Sequence, residues 1–316
     1  MCDLSSVSSG PGVVLASPGA QAFAERLAGK LGAVLCGVEQ HRFPDGESGV
    51  RVLGDVRGRD CIVVAQLRDP DPQLPGLFFL ADALHELGAA SVGLVAPYLP
   101  YMRQDTRFRE GEAVTSRSLA AWVSARFDWL ATVDPHLHRI PSLDRIYSIA
   151  NAVVPSAPAI ALWVQGHVHR PFIVGPDEES RQWVREVASL VGCGHMVLKK
   201  TRHDDRSVSF VLPDLAPLAG HTPVLVDDIV SSGRTLADAV RRLREAGSAT
   251  PVCVAVHALF AAGAEDALHA AGASRVVSCN TLPHSSNAID VSAALAEAVR
   301  ALQEDRLRCA AMAAGG

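Results

Sequence analysis

The chain has no basic excess: 34 Asp and Glu outnumber 29 Lys and Arg, giving a formal net charge of −5. That balance argues against a nucleic-acid protein, which must neutralise backbone phosphates. Seven cysteines are scattered with no Cys-x-x-Cys pair, which suits a reducing, cytoplasmic setting. No signal peptide is expected, because Met1 to Gly12 is polar and rich in Ser and Gly. No apolar run reaches membrane-spanning length, and the stretch from Val153 to Val164 is interrupted by Pro155 and Pro158. What is present fits a soluble α/β protein. A length of 316 residues suits two domains, and a hydrophobic fraction of 48% supplies a core for both. The Ala/Gly-rich tail from Cys309 is expected to fray.

The most informative stretch is Val224-Leu225-Val226-Asp227-Asp228-Ile229-Val230-Ser231-Ser232-Gly233-Arg234-Thr235-Leu236. It reads as a buried strand, two carboxylates, a loop of small hydroxyl residues and a helix. Leu236, Val240 and Leu243 give that helix one apolar stripe, and Gly247 ends it. Such a loop delivers backbone N–H groups and the positive end of a helix dipole to one point, which suits a phosphate. Alone, an Asp pair at a strand end is ordinary turn chemistry. Beside a phosphate, however, two acids would be repulsive without a second task, such as binding sugar hydroxyls or a metal through water. A phosphorylated ribose satisfies both halves of the pattern.

A weak internal repeat accompanies it. At a shift of 159 residues Leu77 meets Leu236, Leu84 meets Leu243 and Gly88 meets Gly247. The same shift lays Arg68-Asp69 over Asp227-Asp228. Both halves alternate strand and helix, the pattern of parallel doubly wound sheets. The first half continues Pro70-Asp71-Pro72-Gln73, without a Ser-Ser-Gly loop, so phosphate is expected at this position only in the second half.

Three further polar constellations lie in the first half. Phe43-Pro44-Asp45-Gly46-Glu47 precedes the strand Val50-Arg51-Val52 and by itself reads as a hairpin turn. The strand from Val92 to Ala96 runs into Tyr101-Met102-Arg103-Gln104-Asp105, and Arg107 and Arg109 follow. Open α/β sheets bind ligands just past such strand ends. The strand from Trp129 to Val133 ends in Asp134-Pro135-His136, again at a carboxyl edge.

The Asp227 to Thr235 segment resembles the phosphoribosyl-diphosphate (PRPP) binding motif of type I phosphoribosyltransferases, with Arg234 standing where many members have Gly. Together with Phe43 to Glu47, Tyr101 to Asp105 and Asp134 to His136, taken in order, it resembles the ribose-phosphate diphosphokinases, or PRPP synthetases, over roughly Val13 to Val299. The form of Met102 to Asp105 and of Gly111-Glu112-Ala113-Val114-Thr115-Ser116 is similar to the archaeal-type branch. The resemblance implies an α/β fold of two tandem type I phosphoribosyltransferase-like domains with mainly parallel doubly wound sheets. The expected boundary puts an ATP-side domain with a degenerate phosphate loop at 1–147 and a ribose 5-phosphate-side domain at 148–316.

By the same resemblance, Phe43, Asp45 and Glu47 reach ATP in a neighbouring subunit, while Arg103, Gln104 and Asp105 bind nucleotide in their own. Asp227, Asp228, Ser231, Ser232, Gly233, Arg234 and Thr235 would hold the ribose phosphate, in an active site shared within a homo-oligomer. Lys200 and Arg202 match the family's catalytic Lys-x-Arg, and His136 and Asp177 its ligands for Mg²⁺. Three departures stand out: Glu178-Glu179 after Asp177, Ser142 to Tyr147 in place of an aromatic segment, and Arg234. The rivals are a PRPP-consuming phosphoribosyltransferase, a non-catalytic regulatory paralogue, and a metal hydrolase built on His136-x-His138. The last lacks a further His-based cluster in the sequence.

Overall fold

A computed structural model describes residues 11–204, 207–211 and 214–314, and gives backbone alone for 199–204, 207–211 and 313–314. The chain divides into two compact units, one of Met1–Val154 with Ser292–Gly316 and one of Pro155–Val291.

The first unit contains β1 (Val13–Ala16), α1 (Gln21–Leu31), β2 (Val34–Cys36), β3 (Val38–Arg42), β4 (Ser48–Val52) and β5 (Asp60–Val64). It continues through α2 (Leu74–Glu86), β6 (Ser91–Ala96), α3 (Thr115–Ser124), β7 (Trp129–Val133) and β8 (Ala150–Val154). Six strands form one parallel sheet in the order β2-β1-β5-β6-β7-β8, and β3 and β4 make a separate antiparallel hairpin. Both residue parities of the central strands are buried. Val13, Leu15, Cys61 and Val63 share a core with Leu77, Leu80 and Leu84 of α2 and Leu119 of α3. Val14, Ile62 and Val64 are buried as well, so the sheet is covered on its other face too, as an all-parallel sheet requires. Gly93 makes room for Trp129 beside it: a Cβ there would stand 1.9 Å from the indole.

The second unit repeats this plan. After α4 (Ala157–His167) come β9 (Pro171–Gly175), α5 (Arg181–Val191), β10 (His195–Val197), β11 (Lys199–Asp204), β12 (Ser207–Val211) and β13 (Thr222–Val230). Then follow α6 (Arg234–Glu245), β14 (Val252–Ala258), α7 (Ala264–Ala270), β15 (Arg275–Cys279) and β16 (Asn287–Ile289). The parallel sheet runs β10-β9-β13-β14-β15-β16, the same order as in the first unit, and β11–β12 is the antiparallel ribbon matching β3–β4.

The two remaining helices are exchanged. α4 follows the last strand of the first unit but packs on α5 of the second. The last helix, α8 (Ser292–Ala314), follows β16 but packs on α1, β7 and β8 of the first unit. Where the sequence places one cut at 147, the compact units therefore part after Val154 and the chain returns to its first unit at Ser292. The tail from Cys309, expected to fray, continues α8 as far as Ala314.

The repeat holds at 159 residues for the later elements. Gly88 and Gly247 both take positive φ, +84° and +81°. The upstream register differs. Val64 pairs with Val95 and Val226 with Val254, so the later partners are 159 residues apart and the earlier ones 162. The residues equivalent to Asp227-Asp228 are thus Ala65-Gln66, not Arg68-Asp69, because the loop before α2 is longer.

Leu295 and Val299 of α8 are fully buried. Leu295→Ala is expected to lower stability by about 2–5 kcal/mol in denaturant titration. Amide exchange should rise in β7 and β8 while β13 and β14 keep their protection.

Candidate active site

The ribose-phosphate candidates collect at the carboxyl edge of β13. That strand runs to Val230, so Asp227 and Asp228 lie within its ladder, with Asp227 opposite Ala255, rather than beyond its end. Asp228 is buried, and its Oδ1 accepts the Ile229 N–H at 2.7 Å. The Oδ1 of Asp227 accepts the Asp228 N–H at 3.1 Å. The Ser231 carbonyl is anchored by the Ala261 N–H at 3.0 Å.

Gly233 then turns the chain into α6 with φ +68°, the left-handed region. A Cβ there would meet the Ala264 carbonyl at 3.3 Å, so both conformation and space select glycine. Arg234 is the first helical residue and needs no such freedom. The departure noted in the sequence thus falls one position past the strained one.

Gly233 offers no side-chain cap, and the first amide that bonds back into the helix is that of Ala237, to the Gly233 carbonyl at 2.8 Å. The first-turn amides from Arg234 to Leu236 precede it. They border a cavity of about 140 Å³ lined by Asp227, Ile229, Ser231, Ser232 and Thr235 among others. No acidic residue sits in that turn, so the dipole at this end is unopposed within it. The adjacent Cys253 thiol is pushed up to about 12, chiefly by burial and further by the Asp227 carboxylate.

In the first unit the Tyr101 to Asp105 segment leaves the end of β6. Tyr101 has φ +63° and its hydroxyl donates to Asp71. Burial, then that bond, holds its phenol above the ordinary range. Met102 and Asp105 are buried and Arg103 between them is exposed. Asp105 pairs with Arg139 at 2.9 Å, and Arg139 lies over the Phe108 ring at 5.3 Å. Gln104 donates to Glu112 at 3.1 Å. Neither Glu112 nor Arg139 was singled out as a site residue. Glu112 stands eight positions after Gln104 and Arg139 thirty-four after Asp105, separations at which side-chain partners carry no local periodic signal.

Phe43 to Glu47 forms the tip of the β3–β4 hairpin, as its composition suggests. The Phe43 N–H bonds the Glu47 carbonyl at 2.7 Å, and the Glu47 N–H bonds Asp45 at 3.1 Å. Gly46 takes φ +94°. Phe43 is 47% exposed, with the His41 ring against it at 4.4 Å between centroids.

At the end of β7, Asp134 has φ +33°, an uncommon conformation for a residue with a side chain. His136 follows, and its Nδ1 lies 3.2 Å from His138 Nε2. In the second unit Asp177 follows β9 and accepts the Glu179 N–H at 3.1 Å. Glu178 pairs with Arg181, with contacts of 2.5 to 2.8 Å. One of the two unexpected acids is thereby neutralised in part. The side chains of Lys200 and Arg202 lie outside the described residues; their backbone is in β11, opposite Phe210 and Val208.

Comparison with known proteins matches these two units in turn. Residues 13–125 match the family described as the N-terminal domain of ribose phosphate pyrophosphokinase, and residues 151–295 the phosphoribosyl transferase domain. The curated ribose-phosphate pyrophosphokinase of Methanopyrus kandleri is 35% identical over 92% of this chain and 99% of its own length. That of Sulfolobus acidocaldarius is 33% identical over 87% of this chain and 96% of its own. The crystal structure of phosphoribosylpyrophosphate synthetase from Mycobacterium smegmatis superimposes with a TM-score of 0.80 at 25% identity, covering 94% of this chain and all of that one. The fold is therefore a tandem pair of phosphoribosyltransferase-like domains. The chain belongs to the ribose-phosphate pyrophosphokinase family.

The raised thiols give a direct check. Cys61 is also pushed up to about 12, first by burial, while Cys309 is exposed. Alkylation of the native protein near pH 8 should modify Cys309 well before Cys61 or Cys253, read by peptide mass spectrometry. Both buried thiols stay protonated in the folded chain as pH passes their ordinary 9.0. The unfolded chain ionises first, so their contribution to stability is present below about pH 9 and is lost as pH rises toward 12.

Proposed function

We propose that this protein transfers the diphosphoryl group of Mg-ATP to the 1-hydroxyl of ribose 5-phosphate, giving PRPP and AMP. The observation that carries the reading is the α6 entry. A glycine-turned helix start with unused amides and the half-buried Asp227 border one small cavity, and the buried Asp228 follows Asp227 in the strand. The amides and the hydroxyls of Ser231, Ser232 and Thr235 bind the 5-phosphate, and Asp227 and Asp228 bind ribose hydroxyls. The first unit serves as the ATP side and the second as the ribose 5-phosphate side.

The sugar O1 attacks the β-phosphorus as the bond from that phosphorus to the α-phosphate's bridging oxygen breaks. AMP leaves, and the hydroxyl proton is lost to solvent or base. Little covalent work falls to the protein, so its part is alignment and charge neutralisation. Lys200 and Arg202 clamp the transferring phosphoryl oxygens. Arg103, Gln104 and Asp105 hold the nucleotide.

His136 and Asp177 are the residues that would hold Mg²⁺. The carboxylate suits this hard cation, whereas imidazole is an unusual partner for it. When bound, the ion supplies neutralisation of the triphosphate charge. Phe43, Asp45 and Glu47 reach a neighbouring subunit's nucleotide, which makes the working form a homo-oligomer. An exposed aromatic on an otherwise polar hairpin tip supports this. Among the described residues no helix is long and apolar enough to cross a membrane. The six cysteines among the described residues are free of disulfides, and we place the enzyme in the cytoplasm.

Incubation with ribose 5-phosphate, ATP, Mg²⁺ and inorganic phosphate is expected to yield AMP and PRPP. ADP in place of AMP, or no turnover with substrates bound, would overturn the reading, and chelation of Mg²⁺ should abolish product. Lys200→Ala should lower kcat by about 10²- to 10³-fold, the range for removing a preorganised charge-stabilising donor. Its affinity for ribose 5-phosphate, measured calorimetrically, should hold. Equal losses in both would contradict the role given to Lys200.

A further inference from the structure

We propose that Glu112 is a positioning residue for the nucleotide loop, an inference that rests on the reading of Arg103 to Asp105 as the ATP-binding segment. A single carboxylate oxygen, Oε2, collects three donors: the side-chain amide of Gln104 at 3.1 Å, the Phe108 N–H at 3.1 Å and the Arg109 N–H at 3.1 Å. The Glu112 backbone carbonyl takes a fourth, from Arg107 Nε at 3.0 Å. One residue therefore ties the Gln104 side chain to the whole return of the loop, and it does so just before α3.

The chemistry favours a carboxylate at this point. The segment carries Arg103, Arg107 and Arg109, and Arg117 follows in α3. A glutamate in their midst offsets charge that would splay an unliganded loop. Bonds from N–H groups to an ionised oxygen are among the stronger ones available. Gln104 is fixed from its backbone as well, its carbonyl accepting the Ser116 N–H at 3.4 Å. Asp105 next to it is buried and paired with Arg139. Gln104 and Asp105 are thus restrained on both sides, while the exposed Arg103 beside them keeps its contact surface for ligand. Glu112 need not touch the nucleotide: its effect is to hold the donor of Gln104 in place before ATP arrives, which lowers the ordering cost of binding.

The experiment is calorimetric binding of a non-hydrolysable ATP analogue, with steady-state kinetics, on Glu112→Ala and Glu112→Gln. Glu112→Ala should weaken the analogue by about tenfold or more, the size of one lost charge-assisted hydrogen bond. KM for ribose 5-phosphate and the melting temperature should stay near those of the parent. Glu112→Gln keeps a carbonyl oxygen for the same three donors and should recover most of the lost affinity. A purely structural role would move both substrates' KM values together and would not be rescued by glutamine. Unchanged analogue affinity in Glu112→Ala, or a matching rise in KM for ribose 5-phosphate, overturns the proposal. Should Glu112→Ala fail to fold, Glu112→Gln with an analogue affinity as low as that of Gln104→Ala would overturn it as well. Arg103→Ala and Gln104→Ala separate the two levels. If they weaken the analogue and Glu112→Ala does not, only the positioning role fails. If they too leave it unchanged, the ATP reading of the loop itself is wrong.

Discussion

A parallel sheet buried on both faces sends every strand's carboxyl end to the same edge, and the rest of each unit depends on that constraint. Helices must return the chain across the faces, so the loops that leave the strands are the segments released from packing. In the first unit this edge carries Tyr101 to Asp105 after β6 and Asp134 to His136 after β7. In the second it carries Asp177 after β9 and Ser231 to Gly233 after β13. The edge also concentrates backbone in uncommon conformations, with Tyr101, Asp134 and Gly233 all at positive φ. Such strain persists only where the surrounding packing fixes it. Here the buried strands on either side supply that support.

Both units have the same sheet order, but their two strand-to-helix turns differ in physical terms. In the second unit Gly233 opens α6 from a left-handed residue and leaves the first amides facing a cavity. In the first, Gln73 and Leu74 spend their amides on the Pro70 carbonyl, and Pro75 has no N–H to offer. The acid pair has become Ala65-Gln66 and the turn is longer by the difference between the two registers. That turn therefore presents fewer free amides to an anion than the entry of α6 does. The placement of α4 and α8 adds a further consequence: the second unit is one continuous segment, whereas the first closes its core only when the far end of the chain returns to it.

The fold and the glycine turn into α6 were legible in the sequence because both rest on local signals. Strands β6 and β7 read directly as apolar runs. The end of α6 was fixed by Gly247, and the helix entry by a glycine among hydroxyl residues. What could not be read were relations between distant segments. The three-residue slip lies in a loop with no periodicity to betray it, so a constant shift carried the alignment past its true register. The return of α8 to the first unit leaves no mark in a helix whose apolar positions would serve either core. The extension of β13 through Asp227 and Asp228 was hidden because acids ordinarily signal a strand's end, not its last ladder positions. Arg139 is hidden for the same reason, since its partner Asp105 is remote in sequence, while Glu112 reaches Gln104 across eight positions of loop that carry no periodic signal.

The distribution of acids resolves the apparent conflict of a negative protein organised around anionic ligands. At the candidate loops several carboxylates are occupied by protein donors, most of them local. Asp228 and Asp227 take backbone amides at the end of β13, Asp177 takes the amide of Glu179, and Glu178 takes Arg181. Asp105 takes Arg139, and Glu112 takes two amides and Gln104. A carboxylate satisfied by N–H donors projects less negative potential than a bare one, and it stiffens the turn that supplies those donors. The acids are therefore structural elements of the loops as much as bearers of charge. They shape turns rich in arginine and in free amides, so a phosphate approaching them meets donors already in position. That preorganisation, rather than a bulk positive field, is what the proposed reaction would use to accommodate phosphorylated substrates on a chain of net negative charge.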